Sequence, residues 1–176
     1  LLPAAAQNSP GDPLQGIIIS LLTLDAADEH SCAITTAGDV TCFGSNSGGR
    51  VDPSSNSEKM DSPFTVNLGG ASAVAVATSR QMTCAILDSG DITCWGADTG
   101  RFLLDLGDHT ASAITAGNDH FCTILNDGAA KCWGSNKHGQ LGDGMVNTGS
   151  LELKNVDLGD GRTALSISAG PSHTCA

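Results

Sequence analysis

The 176-residue sequence predicts an all-β chain, a β-propeller of four-stranded blades with about three and a half repeats present. Three observations carry this. A hairpin phrase recurs as "HSCAITTAGDVTCFG" from His30, "MTCAILDSGDITCWG" from Met82 and "HFCTILNDGAAKCWG" from His120, with "HTCA" opening a fourth copy at His173. The first cysteines of the copies, Cys32, Cys84, Cys122 and Cys175, are 52, 38 and 53 positions apart, a period typical of propeller blades and solenoids. Between the hairpins lie short alternating runs and glycine turns, with no amphipathic helical stretch of useful length.

Each unit reads as four strands. Eight residues before each first cysteine stands an apolar residue, Leu24, Val76, Ile114 or Ile167, inside runs such as "AVAVA" and "LSIS". Period-two alternation of this kind marks a half-buried strand. The hairpin supplies the second and third strands. A fourth alternating run ends in Leu-Gly: "FTVNLG", "FLLDLG" and "KNVDLG". Residues 1–15 read as an extended N-terminal segment and residues 16–176 as blades. "PLQGIII" (Pro13 to Ile19) lies where a strand preceding the first copy belongs.

The hairpin turns are Thr36-Ala37-Gly38, Asp88-Ser89-Gly90 and Asn126-Asp127-Gly128, three-residue loops with glycine third. That is the signature of a type I turn closed by a left-handed glycine. Folding the chain about the middle residue sets Cys32 opposite Cys42, Cys84 opposite Cys94 and Cys122 opposite Cys132. Directly opposed residues of an antiparallel pair come within disulfide reach, so turn geometry predicts three local disulfides. Buried free thiols are the plain alternative; a zinc site would want a closer Cys-x2–4-Cys spacing. Disulfides persist in oxidising compartments, so a secreted or cell-surface protein is expected.

Composition narrows the partners. Nineteen acidic residues against eight Lys and Arg give a net charge of −11. Phosphate backbones and anionic membrane surfaces both call for clustered cations, so neither nucleic acid nor membrane is expected as a partner. No apolar run reaches the roughly 18 residues of a membrane-spanning helix. The opening "LLPAAAQ" resembles the tail of a signal peptide.

Ala113 to Gly144, "AITAGNDHFCTILNDGAAKCWGSNKHGQLGDG", resembles a repeat of the regulator of chromosome condensation family. The matching parts are the Ala-Gly before His, the Asp-Gly hairpin, Trp-Gly-x-Asn and Gly-Gln-Leu-Gly-Asp-Gly. The second copy keeps Trp95-Gly96 but runs on as "ADTGRF", and the first has Phe43 for Trp and "SNSGGRVD" for the longer phrase. The resemblance covers about Leu21 to Ala176. It implies four-stranded blades, usually seven, so that this chain would be part of a larger seven-bladed propeller or a repeat array. Cysteine pairs on the hairpin are typical of secreted members. The nucleotide-exchange activity of the nuclear member is not carried over to an acidic, cysteine-paired chain.

Candidate functional residues follow from what the repeat leaves unexplained. His30, His120 and His173 recur two residues before a cysteine and read as blade-fixing side chains rather than a metal ring, since Met82 interrupts the series. Trp95, Trp133 and Phe43 read as packing residues. Loops with Asp143, Asp157 and Asp160 lack the alternating oxygen ligands of a calcium loop, and no cofactor is expected, calcium being the one weighed. No nucleophile, base or phosphate-loop motif appears, so the chain is expected not to be an enzyme. Contact with a partner is assigned to the inserted loops, Ser45 to Pro63 and Ser135 to Glu152, and to Arg50, Asp52, Lys59, Asn136, Lys137 and His138 within them. Cys175 has no mate at the ten-residue spacing and is expected to pair outside this stretch or between chains.

Two functions are consistent with these features. The first is a non-enzymatic extracellular scaffold for protein partners or further copies of itself, extending to an assembly or filament. The second is a soluble secreted inhibitor or ligand-binding propeller working through the loops of one face.

Overall fold

A computed structural model describes residues 24–176; residues 1–15 and the Pro13 to Ile19 run lie outside it. Three antiparallel sheets of four strands form in chain order. The first is β1 (Leu24–Ala26), β2 (His30–Ile34), β3 (Val40–Ser45) and β4 (Lys59–Thr65). The second is β5 (Ala73–Thr78), β6 (Met82–Leu87), β7 (Ile92–Gly96) and β8 (Phe102–Leu103). The third is β9 (Ala111–Ala116), β10 (His120–Leu125), β11 (Ala130–Gly134) and β12 (Ser150–Asn155). A fourth unit begins as the pair β13 (Ser168–Ala169) and β14 (Thr174–Cys175).

These sheets are propeller blades. The first strand of each, β1, β5, β9 and β13, stands beside its counterpart in the next. A cavity of about 350 Å3 is lined by residues of all four units, among them Ala26, Thr78, Ala116 and Ala169. The sequence expectation of a strand over "LSIS" is met only at Ser168. Leu165 is exposed because no described strand pairs with it. The outer strands also end earlier than "FTVNLG" and its equivalents suggest. Each stops before an apolar pair (Val66 and Leu68, for instance, both buried) that turns into the core between blades.

Register explains the cysteines. Cys32 is paired with Cys42, Cys84 with Cys94 and Cys122 with Cys132 in the strand ladders. All three pairs form disulfides, and Cys175 is free and exposed. The hairpin glycines do a second job. The carbonyls of Gly38, Gly90 and Gly128 accept the backbone N–H of Ala73, Ala111 and Ala164, in the connections that lead to the next unit. One blade's turn thereby anchors the start of its successor.

The Phe-Gly and Trp-Gly phrases have a backbone cause. Gly44, Gly96 and Gly134 lie at φ of 115°, 112° and 105°. A Cβ at any of them would overlap a backbone carbonyl, that of Glu29, Gln81 or Asp119. Only glycine admits both the dihedral and the approach.

Candidate functional site

The loops that follow these glycines leave the propeller on one face, beside the turns that join first and second strands. In the first blade the loop is folded by Asn46. Its Oδ1 accepts the N–H of Val51 (2.9 Å) and Asp52 (2.7 Å), and its Nδ2 donates to the carbonyl of Ser57 (2.8 Å). Asn136 repeats the device in the third blade, accepting from Leu141 N–H (3.1 Å) and donating to Asp143 (3.0 Å). Asn46 and Asn136 are both buried, each held as a brace.

The brace carries Arg50 inward, where it is 7% exposed. Its guanidinium donates to the Arg80 carbonyl, to Glu29 (2.9 Å) and to Ser45 (3.0 Å). The Arg50 carbonyl accepts twice from the second blade, from Thr83 Oγ1 (3.1 Å) and Trp95 Nε1 (3.0 Å). Thr83 Oγ1 also meets His30 Nε2 at 2.9 Å. Because the hydroxyl spends its proton on the carbonyl, His30 donates through Nε2–H, while its buried Nδ1 has no partner to receive a second proton's hydrogen bond, which favours the neutral ring. The same latch closes the next-but-one seam: His120 Nε2 meets Thr174 Oγ1 at 2.9 Å, and that hydroxyl donates to the Gln140 carbonyl at 2.9 Å. Gln140 occupies in the third blade the position of Arg50 in the first.

The histidines are tuned accordingly. Burial, with the Arg50 guanidinium adding to it, lowers His30 from 6.5 to about 4. Burial also lowers His120; Asp119 opposes the shift and His173 adds to it. Unfolding frees each imidazole to take a proton at its ordinary pKa. For His30 the latch contribution is therefore complete above pH 6.5 and is lost as pH falls from 6.5 towards 4, and His120 acts in the same direction. For His30 the loss amounts to about 3 kcal/mol at 1.36 kcal/mol per unit. Urea midpoints measured at pH 7.5 and pH 4.5 should fall by this order, and His30→Gln should flatten the dependence between them.

Around this latch lies a polar cleft of about 300 Å3 between the first two blades. Arg80 and Asp28 pair across it at 3.1 Å. Glu29, Gln81 and Asp98 complete its charged and amide lining. Of the six loop residues marked in the sequence, Arg50, Asp52 and Asn136 are turned inward and tie the loops together, while Lys59, Lys137 and His138 are exposed. Asp28, Arg80 and Asp98 had no sequence signal beyond charge. Thr83 and Thr174 are visible as a pair only once the blades are stacked. No group of three or more His, Cys, Asp or Glu suited to hold a metal occurs among the described residues. Asp143 and Asp157 accept backbone N–H groups of their own turns, as Asp does by default in such loops.

A family model for the regulator of chromosome condensation (RCC1) repeat matches residues 26–50 and 111–140. Solved structures share the fold at low identity. Human WBSCR16 superposes with a TM-score of 0.76 at 16% identity, over 88% of this chain and 43% of that one. The ectodomain of the Physcomitrella patens receptor kinase CR4 gives 0.56 at 22%, over 88% and 38%. The CRINKLY WD40 ectodomain of the Arabidopsis thaliana receptor kinase ACR4 gives 0.57 at 22%, over 86% and 44%. The chain therefore spans less than half the length of each of these structures.

Proposed function

We propose that this chain, which carries regulator of chromosome condensation repeats, is a non-enzymatic interaction propeller, secreted or on the cell surface, that engages protein partners through its long-loop face. The observation that carries the reading is the division of labour within the loops. Their buried residues, Asn46, Arg50, Asp52 and Asn136, lock the backbone, while Lys59, Lys137 and His138 stand exposed on the same loops. Loops held by a scaffold in this way present a preorganised surface, which lowers the ordering cost of binding. A net charge of −11 favours a basic protein partner over nucleic acid. The three disulfides support an oxidising, extracellular setting. Self-assembly into larger structures is compatible with the same face and is resolved by the same measurement.

Lysine-directed cross-linking on the protein isolated from its source tests both parts. Recovery in the external or surface fraction, with the six blade cysteines resistant to alkylation, is expected. Cross-links should concentrate at Lys59 and Lys137 and spare Lys154, which pairs with Cys132 in the middle of an outer strand ladder. Cytosolic protein with alkylatable thiols rejects the location; cross-links centred on Lys131 and Lys154 reject the face.

A further inference from the structure

The second blade lacks a piece that its neighbours have. Gly44 and Val66 are 22 positions apart, as are Gly134 and Val156, but Gly96 and Leu104 are only 8 apart, 14 fewer. These pairs are equivalent: each glycine lies at the end of a third strand, and Val66, Leu104 and Val156 each donate their N–H to the carbonyl of that strand's first residue, Val40, Ile92 and Ala130. The missing 14 residues are those that carry Arg50 and Val51 in the first blade and Gln140 and Leu141 in the third.

The next seam shows the consequence. Where Arg50 offers its carbonyl to Thr83 and Trp95, the second blade has no equivalent carbonyl to offer the third. Thr83 is replaced there by Phe121 and His30 by Met82, and these two share an apolar cluster with Trp133. The exchange is coherent, since a hydroxyl and an imidazole without the carbonyl would be buried unpaired. Trp133 remains. It is completely buried, its ring stacks on Phe121 at 5.4 Å, and its Nε1–H has no acceptor. The equivalent Trp95 N–H is satisfied at 3.0 Å. In the cluster that holds Trp95, the first blade's loop contributes the fully buried Val51; in the cluster that holds Trp133, the second blade's short turn contributes only Ala97.

We propose that the second blade's short turn, when displaced, opens a docking site for a loop of a protein partner with a Gly-x-aliphatic turn. The carbonyl of x accepts the Trp133 Nε1–H, and the aliphatic side chain takes the place that Val51 and Leu141 fill elsewhere. The occupant is defined within the molecule itself, because Gly49-Arg50-Val51 and Gly139-Gln140-Leu141 fill the equivalent positions in the two other blades. Ala97 and Asp98, at φ of 47° and 58°, form the turn that such a loop displaces. The inference deepens the interaction reading by naming the partner's docking element, and it is tested apart from location and cross-linking.

The probe is a synthetic peptide with the sequence of Ser45 to Glu58, added to the full chain labelled with 15N at tryptophan. The chain has two tryptophans, so Trp95 serves as the internal reference for a bonded indole N–H. A saturable shift of the Trp133 signal towards that of Trp95, with slower hydrogen exchange, is expected. A peptide with Asp in place of Val51 should bind at least tenfold more weakly. Grafting the same 14 residues after Gly96, together with Met82→His and Phe121→Thr, should shift Trp133 permanently and abolish peptide binding. An unmoved Trp133 at millimolar peptide, equal shifts with a scrambled peptide, or undiminished peptide binding by the graft would each overturn the proposal.

Discussion

Reduction of the three hairpin disulfides is expected to remove most of the stability of the chain. Each closes a loop with a sequence separation of 10. In the chain-entropy picture a loop of this size contributes about 2.7 kcal/mol, so the three together contribute about 8 kcal/mol. A domain of ordinary stability has roughly 5–15 kcal/mol in all. Aromatic residues, the largest contributors to a core, make up only 3% of the sequence, so little remains to compensate. Urea denaturation with and without a phosphine reductant measures the difference directly. Double Cys→Ser variants of single blades should each lower the midpoint by about a third of the total. A reduced protein that unfolds at the same urea concentration as the oxidised one would refute the estimate.

Gly96→Ala is expected to destabilise the chain severely. The dihedral of 112° is closed to residues with a Cβ, and the added methyl would overlap the Gln81 carbonyl. Backbone strain of roughly 1–3 kcal/mol adds to overpacking of similar size, about 4 kcal/mol together. The Gln81 oxygen also accepts Ala97 N–H at 2.9 Å, so the neighbour cannot move aside without losing a bond. Gly100→Ala is the matched control. Gly100 sits at φ 67° with open space around its Cβ direction and should lose only about 1 kcal/mol. Thermal unfolding of the two variants separates the effects, and equal losses would show that the carbonyl contact is unimportant.

How much of this could be read from the chain alone depended on the range of each interaction. The hairpins, their glycine turns and the disulfide pairing are local: ten residues and one turn type determine that Cys84 faces Cys94. The blade class followed from repetition of that unit. Arg50 was legible only as a charge in a loop, and charges in loops usually face water. Its burial depends on Asn46 folding the loop and on Thr83 and Trp95 presenting donors from another blade. The His30–Thr83 latch spans 53 positions and has no spacing rule within a single repeat. Met82 was visible as an interruption of the histidine series. Its cause was not, because it depends on a deletion in its own blade and on Phe121 in the next. The shorter step of 38 residues held that information, yet its meaning required the seam.

The anchoring of each blade's start on the preceding hairpin turn also has a direction in time. The carbonyls of Gly38, Gly90 and Gly128 are synthesised before the amides of Ala73, Ala111 and Ala164 that bind them. The Arg50 carbonyl likewise precedes Thr83 and Trp95. These inter-blade acceptors are therefore already in the chain when the donors that bind them emerge.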